Sequence, residues 1–502
     1  MEAILLRIVE GSLQLLDPYI LFIIVVGTIF GVILGILPGL TSTMGVALLV
    51  PVTFGMPPAV GLALLGAIYC SSTYSGAITS ILINIPGTPA NCCSILDGYP
   101  MTLKGDSSRA IALATSGSCI GGLLGVIALL FLAPPLAEFA LHFGPQEYFL
   151  LALFGVSVIA SLSEGNLLKG LFSGALGLLL SIAGMHPLTG DIRFSLGMPE
   201  LYNGLPLVIA LIGLYSLPEV IALYKSGDRV VKQTSGVGKG VWSQMMEIFD
   251  YKIQVFRATV IGIIVGIIPG AGASISSFVA YSDAKRVSKS PETFGHGNPE
   301  GVVASETANN ALVGGTFVPT LTLGIPGNAV TAVLMGGLMI HGLRPGPQLF
   351  IDNSVIIYCF IMSLFISNLT FVPVGLFIAR YCVKLVEAPA ALLGPMILGL
   401  AVMGAYALNT SMVEVGIMLA MGFTGYVMKI YNVPREPMVL GLVLGPIAEG
   451  ELGRAMALAH GSLPDMLKGM LTDPLSLSII ALTVFSLYQG IKSSRKHTQK
   501  KT

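Results

Sequence analysis

Apolar stretches about as long as a bilayer crossing recur along the whole chain, and no other feature constrains its fold as tightly. A first series lies near residues 20–37, 57–83, 109–133, 146–162, 167–185 and 204–224. A second lies near 254–282, 300–325, 351–380, 389–408, 411–430, 437–448 and 475–491. A helix needs about 20 apolar residues to span the hydrocarbon core, and several of these stretches are short or interrupted. The expectation is an all-α polytopic membrane protein with about 10–12 transmembrane helices plus re-entrant pieces. Composition agrees, because only 10% of the 502 residues are charged and 54% are hydrophobic. A soluble domain carries about 25% charged residues. The 61 Gly and 30 Pro residues suit helices whose neighbours satisfy freed backbone groups.

Charge sorts the remaining classes. The net charge is zero, and no basic stripe interleaved with aromatics marks a nucleic-acid partner. The six Cys residues lack metal-ligand spacing and read as small buried hydrophobes, so neither a metal nor another cofactor is expected. No short apolar core with a small-residue cleavage site opens the chain, so the first span is expected to act as its own insertion signal. Basic residues cluster in a polar stretch holding Lys225, Arg229, Lys232, Lys239 and Lys252, and again after residue 491. None occurs from residue 8 through 103. By the positive-inside rule both clusters are expected to be cytoplasmic. The chain divides accordingly into a first transmembrane half (1–224), a cytoplasmic amphipathic linker (225–253), a second transmembrane half (254–491) and a basic cytoplasmic tail (492–502).

The two halves repeat. Residues 31–39 read GVILGILPG and residues 262–270 read GIIVGIIPG, identical at six of nine positions. Further on, Asn84-Ile85-Pro86-Gly87 matches Gly324-Ile325-Pro326-Gly327. The Pro-Gly pairs recur 231 and 240 residues apart, which fits an insertion near the polar segment 285–299. Pro removes a backbone donor and Gly tolerates angles closed to other residues, so each pair ends a helix. Inside hydrocarbon such ends are tolerable only where protein or a water-filled cavity satisfies them. Broken helices at corresponding places in two halves point to a transported-substrate site, and half-helix N-termini favour anions.

The residues beside the breaks are candidate ligands for a carboxylate or a small cation. They are Pro38, Gly39, Thr41, Ser42 and Thr43 at the first break, and Asn84, Pro86, Gly87, Thr88 and Asn91 at the second. Gly270, Gly272 and Ser274 follow the third, and Pro326, Gly327 and Asn328 form the fourth. The stretch Ser305-Glu306-Thr307-Ala308-Asn309-Asn310 puts an acid and two amides inside an expected span, which is costly unless they face a cavity. Two readings stay open. Glu306 helps hold Na+ or carries a proton, with Thr307, Asn309 and Asn310 as oxygen ligands, or it is solvated in an interfacial loop. Residues 258–268 and 273–282 would each make a helix about 16 Å long, too short to span. Basic residues flank both, so a re-entrant hairpin tipped by Pro269-Gly270 and open to the cytoplasm is expected. Its counterpart around Pro38-Gly39 would open to the other side, making the repeats inverted. His341 and Arg344 follow the last break and read either as a polycarboxylate attractor or as an interfacial anchor.

These motifs resemble the TctA family, the large membrane subunit of the tripartite tricarboxylate transporters. The resemblance runs from about residue 18 to 490. It rests on GILPGLTSTMG (35–45), YSGAITSILINIPGTPAN (74–91), DGYPM (97–101), GIIPGAGA (266–273), ETANNALVGGTFVPTLTLGIPG (306–327) and GLRPGPQLF (342–350). It implies a subunit of the bacterial inner membrane that carries citrate or a related organic carboxylate. It further implies a periplasmic solute-binding protein, a small four-helix membrane subunit, and uptake driven by a Na+ or H+ gradient. No phosphate-binding GxxxxGK[ST] loop is present. A stand-alone carboxylate permease is the nearest alternative. An intramembrane enzyme lacks an HExxH or paired-acid signature, and two occluding breaks suit alternating access better than a channel.

Overall fold

A computed structural model describes residues 2–37, 39–162, 167–186, 188–226, 240–270, 272–382 and 390–499. The first half comprises α1 (Glu2–Leu15), α2 (Pro18–Ile36), α3 (Ser42–Leu49), α4 (Pro58–Ile83), α5 (Cys92–Leu103), α6 (Ser107–Ala140), α7 (Pro145–Leu162) and α8 (Leu167–Ser181). A two-residue antiparallel ladder, β1 (Gly184–Met185) with β2 (Ile192–Arg193), precedes α9 (Leu207–Ser226). After α10 (Val241–Met245) come α11 (Lys252–Ile267), α12 (Gly272–Val287), α13 (Pro299–Leu323), α14 (Ala329–Ile340), α15 (Leu349–Asp352) and α16 (Ser354–Ala379). The chain ends with α17 (Ala390–Asn409), α18 (Met412–Ile430), α19 (Glu436–Leu458), α20 (Leu463–Thr472) and α21 (Pro474–Gln499).

The architecture is that of an all-α polytopic membrane protein. Among the described residues, α2, α6, α9, α16, α17 and α18 are each long and apolar enough to cross a bilayer. A bent pair, α20 with α21 at 89°, would make a seventh span. Helices α4 and α13 are 26 and 25 residues long but rich in Ser, Thr and Gly, and nearly every residue in both is buried. They form the centre of the molecule, where hydroxyls and amides find partners among other helices instead of lipid. The apolar stretch 254–282 proves to be two helices, and the short one at 437–448 belongs to a helix that continues to Leu458. The basic end beyond residue 491 continues α21 to Gln499. Lys, Arg and Gln end an apolar run without ending a helix, because their helix propensity is high.

Glycines set how closely the central helices approach. In the α2–α4 contact, a Cβ built at Gly31 would meet Ile68 and Ser71, and one at Gly35 would meet Ser72 and Ser75. In the α11–α13 contact, Gly262 would meet Ala308 and Ala311, and Gly266 would meet Leu312 and Gly315. Each contact in the second set lies at the position expected from the 231- and 240-residue spacings. The helix ends match as well. Asn84 (φ 60) and Gly324 (φ 69) close α4 and α13 in the left-handed conformation, with their N–H groups on the carbonyls of Thr79 and Pro319. The next N–H, of Ile85 or Ile325, bonds the same carbonyl at 3.4 or 3.3 Å, a Schellman-type closure that satisfies the last carbonyls. Helices α4 and α13 cross antiparallel, since Tyr69 Oη lies 3.4 Å from Thr316 Oγ1 while Asn309 Nδ2 donates to the Thr73 carbonyl at 3.2 Å.

Helices α11 and α12 fold back on each other about Pro269-Gly270, as the sequence suggests. Arg257 on one arm grips Asp283 on the other with two bonds of 2.8 and 2.9 Å. The connection to α13 is fastened by Asp97 of α5. Its Oδ1 accepts N–H bonds of 2.8–2.9 Å from Gly295, Gly297 and Asn298, and its Oδ2 accepts from Tyr281 Oη at 2.8 Å. Within the linker, residues 227–239 lie outside the described residues. Its described part packs on the start of α6 through buried Val241 and Ile248, and Arg109 forks onto the Glu247 carboxylate. That pairing holds the Glu247 carboxyl below the usual range.

Three outcomes follow from this packing. Gly266→Val should lower the unfolding temperature, since Cβ would lie 2.7 Å from the Leu312 carbonyl oxygen and overpacking costs about 1–3 kcal/mol. Gly399→Val, with open space at Cβ, should change it little. Single cysteines at 250 and 288 should be labelled from the same face by an impermeant maleimide, as a re-entrant hairpin requires. A depressed carboxyl pKa stabilises above its unfolded value and loses that contribution as pH falls. Glu247→Gln should therefore speed amide exchange over residues 241–251 at neutral pH, whereas the wild type should loosen there only on acidification below about pH 4.5.

Candidate functional site

The four breaks each create a helix start, and those starts face one another. Thr41 caps α3, its Oγ1 accepting from Met44 N at 3.2 Å. Asn328 caps α14 in a reciprocal box with Thr331, both bonds being 3.0 Å. Helix α12 begins at Gly272 (φ 70), and residues 89–91 make a 3-10 turn leading into α5. The breaks of one half touch each other. Gly270 N–H donates to the Gly327 carbonyl at 2.7 Å, and Gly87 lies against the Gly35 carbonyl and Gly76. No side chain fits at Gly327 either, where a Cβ would lie 2.7 Å from Thr316 Cα.

A cavity of about 270 Å3 lies between these helix starts. Residues 41–43, 88–90, 272–274 and 328–330 line it, one group from each break. The first N–H groups of a helix have no intrahelical acceptor and carry a partial positive charge, so four such ends turn the cavity into an anion-favouring space. The remaining wall comes from unbroken elements: Tyr69 and Thr73 of α4, Asn309 and Leu312 of α13, Tyr215 of α9, and Arg435 and Glu436 at the start of α19.

Arg435 brings a full positive charge to that wall. Its Nη1 donates to the Leu214 carbonyl at 3.2 Å and its Nη2 to Glu219 Oε1 at 3.0 Å. The guanidinium carbon sits 5.2 Å from the centre of the Tyr215 ring, a cation–π distance. Glu219 also binds Lys429 at 2.9 Å through its other oxygen, so one acid serves two cations. Tyr69 Oη accepts from Asn328 Nδ2 at 2.7 Å, tying the α14 cap to α4.

Of the residues singled out from sequence, Thr41, Ser42, Thr43, Thr88, Gly270, Gly272, Ser274, Asn309 and Asn328 line this cavity. Gly39 forms an exposed turn (φ 94), Asn84 caps α4, and Pro86, Gly87, Pro326 and Gly327 build the turns behind the wall. Pro38 lies outside the described residues. His341 is bonded to Thr53 at 3.1 Å, and neither it nor Arg344 lines the cavity. Asn91, Glu306, Thr307 and Asn310 belong to a second, fully buried cluster beside it. Glu306 sits inside α13 with no exposed surface, which corrects the reading of a solvated interfacial loop. The helix begins at Pro299, so the acid lies two turns inside it. Sequence reasoning missed Tyr69, Thr73, Tyr215, Arg435 and Glu436. The available signal was Arg435, a basic residue between two apolar stretches.

Comparison with known proteins identifies the family of the chain. Residues 21–440 match the model of the tripartite tricarboxylate transporter TctA family. The chain is 36% identical over 477 residues to an uncharacterized 52.8 kDa protein in the TAR-I ttuC' 3' region of Agrobacterium vitis, covering 94% of this chain and 93% of that protein. An uncharacterized protein in the TAR-II ttuC' 3' region of the same organism is 35% identical over 238 residues, 47% of this chain and 97% of that one. No solved structure matches. A multi-pass membrane chain with paired broken helices, matched over most of its length by one family, belongs to the TctA family of tripartite tricarboxylate transporter subunits.

Proposed function

We propose that this subunit carries out secondary active uptake of tricarboxylates or related citrate-like organic acids, driven by a Na+ or H+ gradient. In this reading it depends on a periplasmic solute-binding protein for delivery and on a small four-helix membrane subunit as a partner. On the same reading it sits in the inner membrane with linker and C-terminus cytoplasmic, a sidedness that the basic clusters support by the positive-inside rule. The observation that carries the proposal is the convergence of four helix starts and Arg435 on one cavity. A polycarboxylate needs several anion contacts at once, and helix N-termini supply them without burying additional basic side chains. Arg435 suits a carboxylate because its planar fork bonds both oxygens. Its present acceptor, Glu219, keeps Lys429 when Arg435 turns to a substrate.

The two halves act in this reading as inverted repeats. The matched glycine contacts and helix closures support the repeat. The antiparallel crossing of α4 and α13 supports the inversion, because helices in parallel repeats would run the same way. Alternating access then follows from rocking the hairpin elements around a fixed cavity.

Uptake into proteoliposomes with the cognate binding protein tests the assignment. Arg435→Gln should reduce uptake about 10–100-fold, the worth of a lost charge-assisted hydrogen-bond pair, while the protein still inserts. Wild-type uptake by Arg435→Gln would remove the guanidinium from the substrate site. Transport without the binding protein would instead favour a stand-alone permease.

A further inference from the structure

We infer that Glu306 and the oxygen-bearing side chains around it form a Na+ site beside the cavity, distinct from the anion site proposed above. The role of this site in transport rests on that proposal, but its existence does not. Glu306 Oε1 accepts from Asn91 Nδ2 at 3.0 Å and from Ser94 Oγ, and Oε2 accepts from Ser118 Oγ at 3.4 Å. Among the described residues, no Lys, Arg or His pairs with it. The cluster therefore holds a carboxylate with hydrogen bonds suited to its ionised form and no compensating charge, a costly arrangement in a buried site.

The neutral oxygens nearby have the complementary deficit. Asn310 Nδ2 donates to Ser118 Oγ at 2.8 Å and to the Glu306 carbonyl at 3.1 Å. This leaves Asn310 Oδ1 without a donor, although the residue is only 1% exposed. Thr307 Oγ1, set against Gly117 of α6, and Asn309 Oδ1 are likewise buried and unpartnered. A proton on Glu306 would neutralise the acid but supply one O–H donor, enough for at most one of these three oxygens. A cation meets both needs, since it neutralises the carboxylate and is coordinated by the amide and hydroxyl oxygens. One carboxylate among neutral ligands suits a monovalent ion; divalent sites gather more charge.

The cluster is wired to the cavity. Asn91 donates to Glu306 and accepts from Thr88 Oγ1 at 2.5 Å, and Thr88 lines the cavity. Asn309, on the next turn of the same helix, lines it too. An ion that pulls on Glu306 thus re-aims Asn91 and the Thr88 hydroxyl. By linkage, a ligand that uses Thr88 must in turn alter the affinity for the ion by the same factor.

Thermal unfolding of the purified full-length chain, in Na+ and in K+ at equal ionic strength and fixed pH with no carboxylate present, tests the site. Na+ should raise the wild-type midpoint in a saturable way. Glu306→Gln should abolish that increment while its midpoint in K+ stays at or above the wild-type value, since the uncompensated charge is gone. Asn310→Ala, which keeps the charge, should raise the half-saturating Na+ concentration about tenfold or more. An increment preserved in Glu306→Gln overturns the site. So does a wild-type midpoint that responds to acidification and not to Na+, which would assign a proton instead. Arg435→Gln should retain the full increment. If that variant also transports normally, the anion site falls and the cation site stands.

Discussion

Backbone N–H and C=O groups cannot stay unpaired in hydrocarbon, and much of this molecule is organised around four places where helices nevertheless end within the helix bundle. Each end needs acceptors and donors from elsewhere. The left-handed closures at Asn84 and Gly324 satisfy the carbonyl ends of α4 and α13. Thr41 and Asn328 satisfy part of the amino ends of α3 and α14. What remains are the starts of helices that together line a common space. The cavity is thus the residue of a backbone accounting problem, and the anion preference proposed for it follows from which ends were left open.

Closeness is the second condition. The broken segments can meet only because glycines let α2 lie against α4 and α11 against α13 with almost no side chain between them. Lipid offers no hydrophobic drive for helices to associate, so close packing and polar contacts carry that load. This explains why α4 and α13 combine abundant Gly with buried Ser and Thr. The hydroxyls spend their protons on carbonyls one turn back, as Ser71, Thr73 and Thr320 do, and so remain compatible with an apolar surround.

The breaks were legible in the sequence because Pro-Gly chemistry is local: it ends a helix whatever surrounds it. Residues flanking the breaks, such as Thr41, Thr88, Ser274 and Asn328, were therefore found with it. Tyr69, Thr73 and Tyr215 were not, because they project from unbroken helices whose facing side depends on packing. Nothing local separates Arg435 from an interfacial anchor, and only its contacts with Glu219 and Tyr215 set it apart. The place of Glu306 was undecided in sequence for a similar reason. A polar segment precedes it, and nothing local tells how far α13 extends before that acid. Crossing number is the least legible quantity, since the apolar stretches at 57–83 and 300–325 become helices α4 and α13 that are long enough to span yet buried almost throughout and rich in Ser, Thr and Gly.

The antiparallel crossing of α4 and α13 has an energetic consequence. If the halves act as the inverted repeats proposed above, a rearrangement that opens one end of the cavity has a counterpart, built from the corresponding residues, that opens the other. The two conformers then differ in free energy only by the places where the halves are unlike, such as the Asp97 fastening to residues 295–298. Near-degenerate conformers need little differential binding to be exchanged, because a shift between them scales with the gap a ligand must overcome. In that reading asymmetries like Asp97 set the resting bias, and weakening one would change which side the empty protein faces without altering the residues that line the cavity.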